Sequence, residues 1–378
     1  MVIAQATNLG NLAMAQTCDI PYHVLDETCR QYCRLPTLRA ANDRIANFIA
    51  QLPIFEHYSF DLEVLFGAVD GQKFEAATPT VKARHSRKYF SGGRGVVAYT
   101  LLANHIALRT ELIGAHEHES HYVFDICYHN TTDIAPAMIT GDMHSVNKAN
   151  FAIARWFEMG FAPRFTSLQA QLKHLYCGDD IAQYDNFLIK PAGEIDRSMI
   201  CDDPSIIEQT IASLSVKEIS QQALVGKLCA LSPHHRTRKA VFEVDKLVRS
   251  IYTHALHARP PAAAQFHRSQ NRIEAYNQLR SFIAQVSGRK HLIGKTDLDV
   301  AISNECGRLL ANVVTAFNSM LLSQLLERYQ RDGNQKALDT LKKISPVAWQ
   351  HIYFLRHYAF RNENPIDITA MLAGLDLL

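Results

Sequence analysis

VLFGAVD (64–70) is apolar on both of its alternating faces and ends in an acid. Such a run predicts a strand that is buried inside a sheet. GVVAYTLLA (95–103) has the same character, whereas IALRTELIGA (106–115) alternates apolar residues with Arg109 and Glu111. That alternation predicts a strand with one solvent-exposed face. Three strands are therefore expected in succession.

The pattern after these strands predicts a helix, a strand and a second helix. SHYVFDICYHN (120–130) has helical spacing, and AMITGD (137–142) is a short apolar run that ends in another acid. A helix over 147–159 is expected to close at Gly160, which suits the position after a helix end. FAPRF (161–165) predicts a short fifth strand. This mixture places the core in the α/β class.

The remaining sequence favours helices. Apolar residues are spaced three and four apart in 1–55 and again across 168–258. PPAAA (260–264) is expected to be a connector, and Thr296 to open a long helix. Ser-Pro at 345–346 predicts the start of the last major helix, because proline is favoured at the first helical position.

The composition is that of an ordinary soluble protein of 378 residues, and it excludes several classes. Lys and Arg number 39 against 37 Asp and Glu, so a nucleic-acid partner would require clustered basic residues. The eight cysteines form no C-x-x-C pair, which argues against a disulfide scaffold or a thiolate zinc site. The first 20 residues lack the pattern of a signal peptide, and no run reaches the roughly 18 apolar residues of a membrane span. We therefore expect a cytoplasmic protein that does not enter a membrane.

Three acids are the candidate catalytic residues. Asp70 and Asp142 each end a predicted strand, and strand ends are where open α/β sheets place their sites. Glu274 lies in a helical stretch far along the chain. Three carboxylates in one pocket suit Mg²⁺, and two such ions activate an attacking oxygen and stabilise a leaving one. Spacing alone leaves the alternative open that the acids cap the turns that follow them.

Histidines offer two weaker candidates. HEHESH (116–121) suggests a metal site, but the spacing is not H-E-x-x-H and a third ligand is not evident. Packing or capping is the favoured interpretation of this run. His144 follows Asp142 by two residues, and its side chain is a candidate to position the Asp142 carboxylate without itself binding the metal ion. The alternative is a histidine at a helix start with no catalytic role.

Basic residues cluster twice. Either cluster suits a solvated surface or a contact with DNA phosphates, because backbone affinity comes from such groups. The first cluster lies between the first two predicted strands and contains Lys82, Arg84, His85, Arg87 and Lys88. The second lies at His234, His235, Arg236, Arg238 and Lys239.

A set of sequence blocks occurs together in one order. The blocks are VDGQKF (69–74), KARHSRKYF (82–90), GVVAYT (95–100), IGAHEHESHYVFD (113–125), ITGDMHSVN (139–147), FAPRF (161–165), NRIEAYNQLR (271–280), ECGRLLANVVTAFNSMLLSQLLE (305–327) and SPVAWQHIYFL (345–355). In this order they resemble the C-terminal part of the transposases of the Tn-three (gamma-delta) family of replicative transposons. The resemblance covers nearly the whole chain.

The resemblance implies an RNase H-like catalytic core of the DDE type with a helical insertion before the last acid. The triad would be Asp70 in VDGQ, Asp142 in TGDMH and Glu274 in NRIEAY, holding Mg²⁺ with Mn²⁺ as a substitute. The implied regions follow the chain in five parts. They are an N-terminal helical region (1–58), the first part of the core (59–167), the insertion (168–260), the last core helix (261–295) and a C-terminal helical region (296–378).

The implied activity is DNA strand cleavage at a transposon end, followed by attack of the freed 3′-OH on target DNA. Homo-oligomers and a bacterial, nucleoid-associated location go with it. Family members carry further domains before this region that recognise the transposon ends, so we expect a truncated or split reading frame, or a separately encoded N-terminal part. The alternative is a DNA-binding or oligomerising remnant that modulates a full-length transposase.

Overall fold

The computed structural model describes residues 1–61, 63–202, 204–258, 260–360, 367 and 370–371. Its strands form one mixed sheet and a small two-stranded sheet. The strands are β1 Phe66–Ala76, β2 Arg84–His85, β3 Arg94–Ala103, β4 Ile106–Gly114, β5 Met138–Thr140, β6 Gly160–Phe161, β7 Tyr176–Cys177, β8 Gly193–Glu194 and β9 His291–Leu292.

Helices surround the main sheet. They are α1 Val2–Ala6, α2 Gly10–Gln16, α3 Tyr22–Tyr32, α4 Leu35–Ala50, α5 Pro53–His57, α6 Arg87–Phe90, α7 Val123–Tyr128, α8 Asn150–Trp156, α9 Leu168–Leu172, α10 Arg197–Cys201, α11 Ser205–Ser215, α12 Gln221–Ala230, α13 Arg236–Ala258, α14 Pro260–Gln285, α15 Asp297–Arg331 and α16 Gln335–Leu341. The α/β class predicted from the sequence is confirmed by this mixture of elements.

The central strand of the main sheet is β1. On one side β1 pairs with β3 in antiparallel fashion, and β3 pairs in the same way with β4. On its other side β1 is parallel to β5, and β5 is parallel to β6. The short strands β2 and β9 extend the sheet beside β3 and the end of β1. The spatial order across the core is therefore β4, β3, β1, β5, β6.

Each face of β1 packs against a different set of helices. Val69 belongs to a core with Tyr99 and Phe151, whereas Ala68 faces a second core with Tyr276 on α14 and Leu310 on α15. Successive residues of a strand point to opposite faces, so the continuous apolar run of β1 fills both cores. This explains why the sequence VLFGAV shows no polar face.

The prediction that the first strand ends at Asp70 is wrong. β1 continues to Ala76, because β3 is long enough to pair with it as far as Glu75 opposite Gly95. Asp70 therefore lies in the middle of the strand. What ends near this level is the neighbouring strand β5, whose last pair joins Thr140 to Ala68.

The prediction that one face of β4 is exposed to solvent is also wrong. Arg109 is only 9% exposed, because α4 and α15 cover this strand. The Arg109 guanidinium pairs with the Glu111 carboxylate at 2.5 Å. A buried charge is tolerated when a partner of opposite sign satisfies it, so the alternation of polar residues here reflects an ion pair under helices.

A two-residue turn joins β3 to β4. Asn104 and His105 both adopt the left-handed region, with φ of 40° and 74°. Such turns suit the natural twist of a hairpin, and asparagine tolerates this backbone better than most residues. The Asn104 amide donates to the Phe55 carbonyl (3.1 Å) and to Ser59 Oγ (3.0 Å), which fixes the turn against the end of α5.

Helix α15 is the main support of the C-terminal region. Thr296 caps its start, as predicted, and forms a capping box with Asp299. In the part of the chain that the structure describes, α15 is the one helix long and apolar enough to cross a membrane. It packs inside the protein against α1 and α4, and its buried Glu305 and Arg308 pair at 2.7 Å. These contacts make it a core helix.

Several predicted boundaries differ from the structure. Helix α8 ends at Trp156, so Gly160 begins β6 instead of closing a helix. FAPRF contributes only its first residue to that strand. The predicted connector at 260–264 is helical, since α14 begins at Pro260. The region 168–258 is not continuously helical, because β7 and β8 lie within it.

The helix predicted from Ser345 and Pro346 is absent from the described residues up to 360. The Asn318 amide of α15 donates to the carbonyls of Pro346 (2.8 Å) and Ala348 (2.9 Å). Those acceptors would otherwise serve a helix, and Pro346 is buried. The segment is therefore held as irregular chain by a buried side chain of its neighbour.

Candidate active site

Asp70 and Asp142 lie side by side where the parallel pairing of β1 and β5 stops. Ala68 and Thr140 form the last pair of these strands, and each acid follows its pair by two residues. Successive side chains alternate between faces, so both acids continue the same register on the side of α14. The strand β1 runs on past this point without a partner from β5, which leaves the two carboxylates at an opening in the sheet.

Asp142 also caps the chain that follows it. Its Oδ1 accepts a hydrogen bond from the His144 backbone N–H at 2.8 Å, at the start of a one-turn 3₁₀ helix. A Cβ on the preceding Gly141 would lie 2.3 Å from Ser145 Oγ, so only glycine fits this close approach. The capping alternative from the sequence is therefore correct as a local description of Asp142, and it fixes one oxygen of the carboxylate.

Glu274 lies on α14, which packs against β1. Asn277 follows it by three residues and therefore shares its side of the helix. The Asn277 amide donates to Asp70 Oδ2 at 2.7 Å, so this side of α14 meets the first acid. Glu274 is exposed, and its charge acts on the Asp70 carboxyl. The structure thus brings the third predicted acid to the same side of the sheet as the other two.

The electrostatics of Asp70 reflect its neighbours. Burial raises the pKa of its carboxyl above the usual range, and the charges of Asp142 and Glu274 raise it further. The Gly71 N–H and the Lys73 ammonium oppose this shift. Within the described residues, no three His, Cys, Asp or Glu side chains are gathered closely enough to hold a metal ion as they stand. The acids interact through charge, without sharing one coordination point.

Glu119 is a fourth acid at this place, and the sequence analysis missed it. It lies in the one-turn 3₁₀ helix Glu119–His121, against the face of β1 opposite to Asp70. A Cβ on Gly71 would come within 2.3 Å of its carboxylate, and its Oε1 lies 3.9 Å from Lys73 Nζ. Burial raises the pKa of Glu119 to about 7, with Asp70 and Asp142 adding to the shift and Lys73 opposing it.

The signal for Glu119 was the glycine after Asp70. A residue without a side chain in a buried strand often marks a close approach by another group. In HEHESH the histidines drew attention instead of the acids. The rings of His118 and His121 lie 5.7 Å apart, and Glu117 accepts from the Gly114 N–H at 2.7 Å. This run therefore closes a turn and supplies a buried carboxylate.

The His144 side chain is exposed, and its recorded contact with Asp142 comes from the backbone N–H. The structure brings this residue to the site, but through its main chain. A role for the imidazole in supporting Asp142 stays a prediction.

The first basic cluster lies beyond Asp70, where β2 pairs with the start of β3. All five of its basic side chains are exposed. The Lys82 ammonium donates to the Leu112 carbonyl at 2.8 Å, and Lys88 lies 4.8 Å from the centre of the Tyr89 ring. Lys73 lies over the same ring at 4.5 Å, so Tyr89 links the cluster to the Lys73–Glu119 pair. The cluster therefore adjoins the acids.

The second basic cluster has a structural component. It lies at the start of α13, where Arg238 donates to the Leu231 carbonyl at 2.6 Å and lies over the Phe242 ring at 5.4 Å. Both contacts anchor the helix start. This guanidinium is therefore already engaged within the protein.

Comparison with known proteins gives consistent results. The family model described as "Tn3 transposase DDE domain" matches residues 1–358. Among curated relatives, the transposase for transposon Tn4556 of Streptomyces fradiae is 23% identical over 96% of this chain and 40% of its own length. The transposase for transposon gamma-delta of Escherichia coli K12 is 22% identical over 95% of this chain and 36% of its own.

The transposase for transposon Tn1546 of Enterococcus faecium is 20% identical over 91% of this chain and 35% of its own length. The chain therefore spans between about a third and two fifths of the length of these relatives.

Proposed function

The chain belongs to the Tn3 transposase DDE domain family, and from this membership we propose that it carries the DNA-cleaving and strand-transferring chemistry of a replicative transposase. Asp70, Asp142 and Glu274 are the proposed catalytic acids. One observation supports this assignment above the others: Asn277, on the side of α14 that carries Glu274, donates to Asp70, which is itself in register with Asp142. The three proposed acids, which are separated by 72 and 132 residues in the chain, thereby come to the same side of the sheet.

The strand order supports an RNase H-like type of core. Three antiparallel strands are followed across the sheet by two that are parallel to the central one. The first acid lies on the central strand and the second follows its parallel neighbour. We assign the core to that type on this arrangement.

Divalent metal ions fit the chemistry of the donor set. Carboxylate oxygens are the ligands that Mg²⁺ prefers, with Mn²⁺ as a substitute. The raised pKa of Asp70 shows that neighbouring negative charges and burial disfavour its ionised form without a cation. We propose Asp70, Asp142 and Glu274 as the ligands. When bound, such ions supply stabilisation of the charge that develops on the attacking and leaving oxygens.

The protein's own residues hold the acids and the DNA. Asn277 orients Asp70, and the His144 N–H orients Asp142. In the proposed reaction, water attacks the phosphodiester at a transposon end, the bond from phosphorus to the 3′ oxygen breaks, and a free 3′-OH is left. That 3′-OH then attacks a phosphodiester of target DNA and displaces its 3′ oxygen. Neither step requires a covalent link to the enzyme.

The exposed basic cluster beside the acids is the proposed contact for the DNA backbone. Lys82, Arg84, Arg87 and Lys88 carry the charges that phosphate contacts require. Transposon ends and target DNA are the proposed partners, in the bacterial cytoplasm. Homo-oligomers and a separate N-terminal part that recognises the ends remain part of the proposal.

A nicking assay tests the proposed function. Pre-nicked or branched DNA ends are incubated with the protein and Mg²⁺ or Mn²⁺, and strand cleavage is followed on a gel. We expect metal-dependent nicks in the parent and in Asp202→Asn, which neutralises an exposed acid elsewhere. Asp142→Asn should lose the activity. Nicking at parental rates by Asp142→Asn would overturn the triad, and DNA binding without any nicking would overturn the enzymatic proposal.

A further inference from the structure

A basic pocket lies beside the first half of α14, where Arg268, Asn271 and Arg272 line it. Its cavity measures about 710 Å³. Four parts of the chain meet around it: residues 57–60, the turn between β3 and β4, the first half of α14, and the chain at and after the end of α16. We call it the α14 pocket. Nothing in the proposed chemistry uses it.

Positive charge dominates the lining of the α14 pocket. Arg268, Arg272, Lys342 and Lys343 contribute four cations, and Asp339 is the carboxylate among the lining residues. Arg268, Lys342 and Lys343 are exposed. Within the described residues, none of the four cations has a carboxylate at ion-pair distance, although ten such pairs occur elsewhere.

Arg272 forms the fixed floor of the pocket. Its guanidinium donates to the Tyr58 carbonyl (2.6 Å) and to Asn104 Oδ1 (2.7 Å), and lies over the Phe60 ring, 3.9 Å from its centre. These acceptors are neutral, so they orient the charge without cancelling it. Burial, with a smaller contribution from the charge of Arg268, lowers the pKa of Arg272 to about 10. The group stays protonated at neutral pH.

Of the two histidines in the lining, His105 adds no further positive charge. Burial lowers the pKa of His105 well below its usual range, and the neighbouring Arg272 charge adds to the effect. The imidazole is therefore neutral at physiological pH, with Ser345 Oγ 3.4 Å from its Nδ1. An oriented, partly buried guanidinium surrounded by flexible cations is the arrangement that binds phosphate oxygens.

We propose that the α14 pocket binds the phosphate backbone of DNA at a point separate from the strand held by the acids. The identity of the polyanion rests on the proposed function, because DNA is the phosphate polymer that such a domain meets. The separation follows from helix geometry: Arg272 and Glu274 are two residues apart and lie about 200° apart around α14. Three exposed cations at the rim suit an extended chain of phosphates better than a single small anion.

Salt-dependent DNA binding tests the pocket. Lys342→Gln with Lys343→Gln removes two rim charges and leaves the buried Arg272 and its contacts in place. Binding of a short labelled duplex is measured in metal-free buffer across a salt series. We expect the slope of log affinity against log salt to become shallower by about 1–2, and affinity at low salt to fall on the order of tenfold, because each neutralised phosphate contributes a slope of roughly 0.9.

The matched control removes two exposed lysines that do not line the pocket, Lys227→Gln with Lys336→Gln. An equal loss of affinity in this control would show that only total charge matters and would overturn the proposal. A second arm adds inorganic phosphate or tripolyphosphate and follows the melting temperature. A rise that depends on Lys342 and Lys343, without any change in DNA binding, would make this a small-anion pocket and also overturn it.

The design separates the two proposals. Binding is measured without metal, so a protein that never nicks DNA still reports on the pocket. If the pocket variant binds DNA like the parent while the parent nicks DNA, the pocket proposal falls and the proposed function stands. If the pocket variant loses affinity but the parent shows no nicking with either metal, the proposed function falls and the pocket proposal stands.

Discussion

Two charged regions adjoin α14, and they are built alike with opposite sign. In the acidic region Asp70, Glu119, Asp142 and Glu274 interact near the cation Lys73. In the basic region, the α14 pocket, four cations lie near the carboxylate Asp339. Each region gathers like charges that repel one another and are only partly compensated by the protein. Each is therefore prepared for an external ion of the opposite sign, which the other region would reject.

The two regions differ in how firmly the protein holds its charges. Asp70 and Glu119 are held by a strand, an amide and an ion pair. In the α14 pocket only Arg272 is fixed, whereas the lysines are exposed. Chemistry requires charges at fixed positions, because small displacements reduce rates strongly. Backbone affinity needs charge density more than geometry. This difference fits the proposal that the acids carry out the reaction and the basic residues bind the DNA backbone.

The largest expected effect comes from removing a charge on the acidic side. In Asp142→Asn, nicking should fall by a hundredfold or more, because a proposed metal ligand is lost. The fold should persist, since asparagine also serves as a cap for the His144 N–H. Metal-free melting should be equal to that of the parent or slightly higher, because one repelling charge is gone. The parent should also show a Mg²⁺-dependent rise in melting temperature that shrinks in the variant.

Nicking rates and melting curves with and without metal measure this pair of effects. A variant that melts well below the parent without metal would make Asp142 a structural cap. It would also contradict the proposed division between acids that carry out the reaction and basic residues that bind DNA.

The next effect concerns the space over Gly71. Gly71→Ala places a Cβ within 2.3 Å of the Glu119 carboxylate, so the acid must leave its position. We expect a loss of about 1–3 kcal/mol in the free energy of unfolding, the usual cost of overpacking a core. Urea unfolding measures it.

The control for Gly71→Ala is a double-mutant cycle with Glu119→Ala. Removing the carboxylate should make Gly71→Ala nearly neutral, because alanine is otherwise acceptable in a strand. Additive effects would mean that the two residues do not contact each other. The conclusion that the protein holds its acids at fixed positions would then lose its support.

A smaller effect is expected from Glu119→Gln and depends on pH. The folded protein raises the pKa of Glu119 from its ordinary 4.5 to about 7. Between these values the folded state binds a proton that the unfolded state has lost. The stability of the metal-free parent should therefore fall as pH rises through this window. Glutamine removes this contribution, so at pH 8 the variant should be more stable by about 1–2 kcal/mol.

Denaturant unfolding at several pH values measures the effect, with the exposed Glu218→Gln as control. Part of the slope should survive in Glu119→Gln, because the pKa of Asp70 is raised as well. A slope identical to that of the parent would show that Lys73 already neutralises Glu119.

The smallest effect is expected on the basic side. In low salt and without DNA, Lys342→Gln with Lys343→Gln should raise the melting temperature by about 1 °C, because exposed like charges repel only weakly. High salt should abolish the difference, since it screens such charges. Scanning calorimetry at two salt concentrations measures it. A fall in melting temperature would indicate that the lysines make stabilising contacts. The basic region would then not be a group of mutually repelling charges like the acidic one.

Local sequence was sufficient for the elements whose partners are close or whose pattern is regular. The strands around Val69 and Leu101 and the helix start at Thr296 were all predicted from residue pattern. The predicted end at Asp70 failed because pairing with β3 extends the strand. The helix at Ser345 failed because the amide of Asn318 takes its carbonyls. Both failures come from partners that are distant in the chain.

Contacts between distant parts of the chain also limited what could be predicted of the two sites. Their positions in the sequence made Asp70, Asp142 and Glu274 candidates, but only the resemblance joined them in a triad, since their spacing alone did not distinguish catalysts from caps. Glu119 was missed because its approach to Gly71 is a contact across the fold. The α14 pocket was missed because its cations come from two separate segments, the first half of α14 and the chain after α16, which meet beside the end of α5. A cluster contiguous in sequence, such as 82–88, is visible without a structure.

The turn between β3 and β4 constrains how this sequence can drift during evolution. Asn104 and His105 occupy backbone conformations in which glycine would be the easiest replacement. Glycine at 104 would relax the backbone but delete an amide that binds Phe55, Ser59 and Arg272 at once. A β-branched residue would fail on the backbone instead. Asparagine satisfies both demands, so variation among homologues should be unusually narrow at this buried corner of the hairpin.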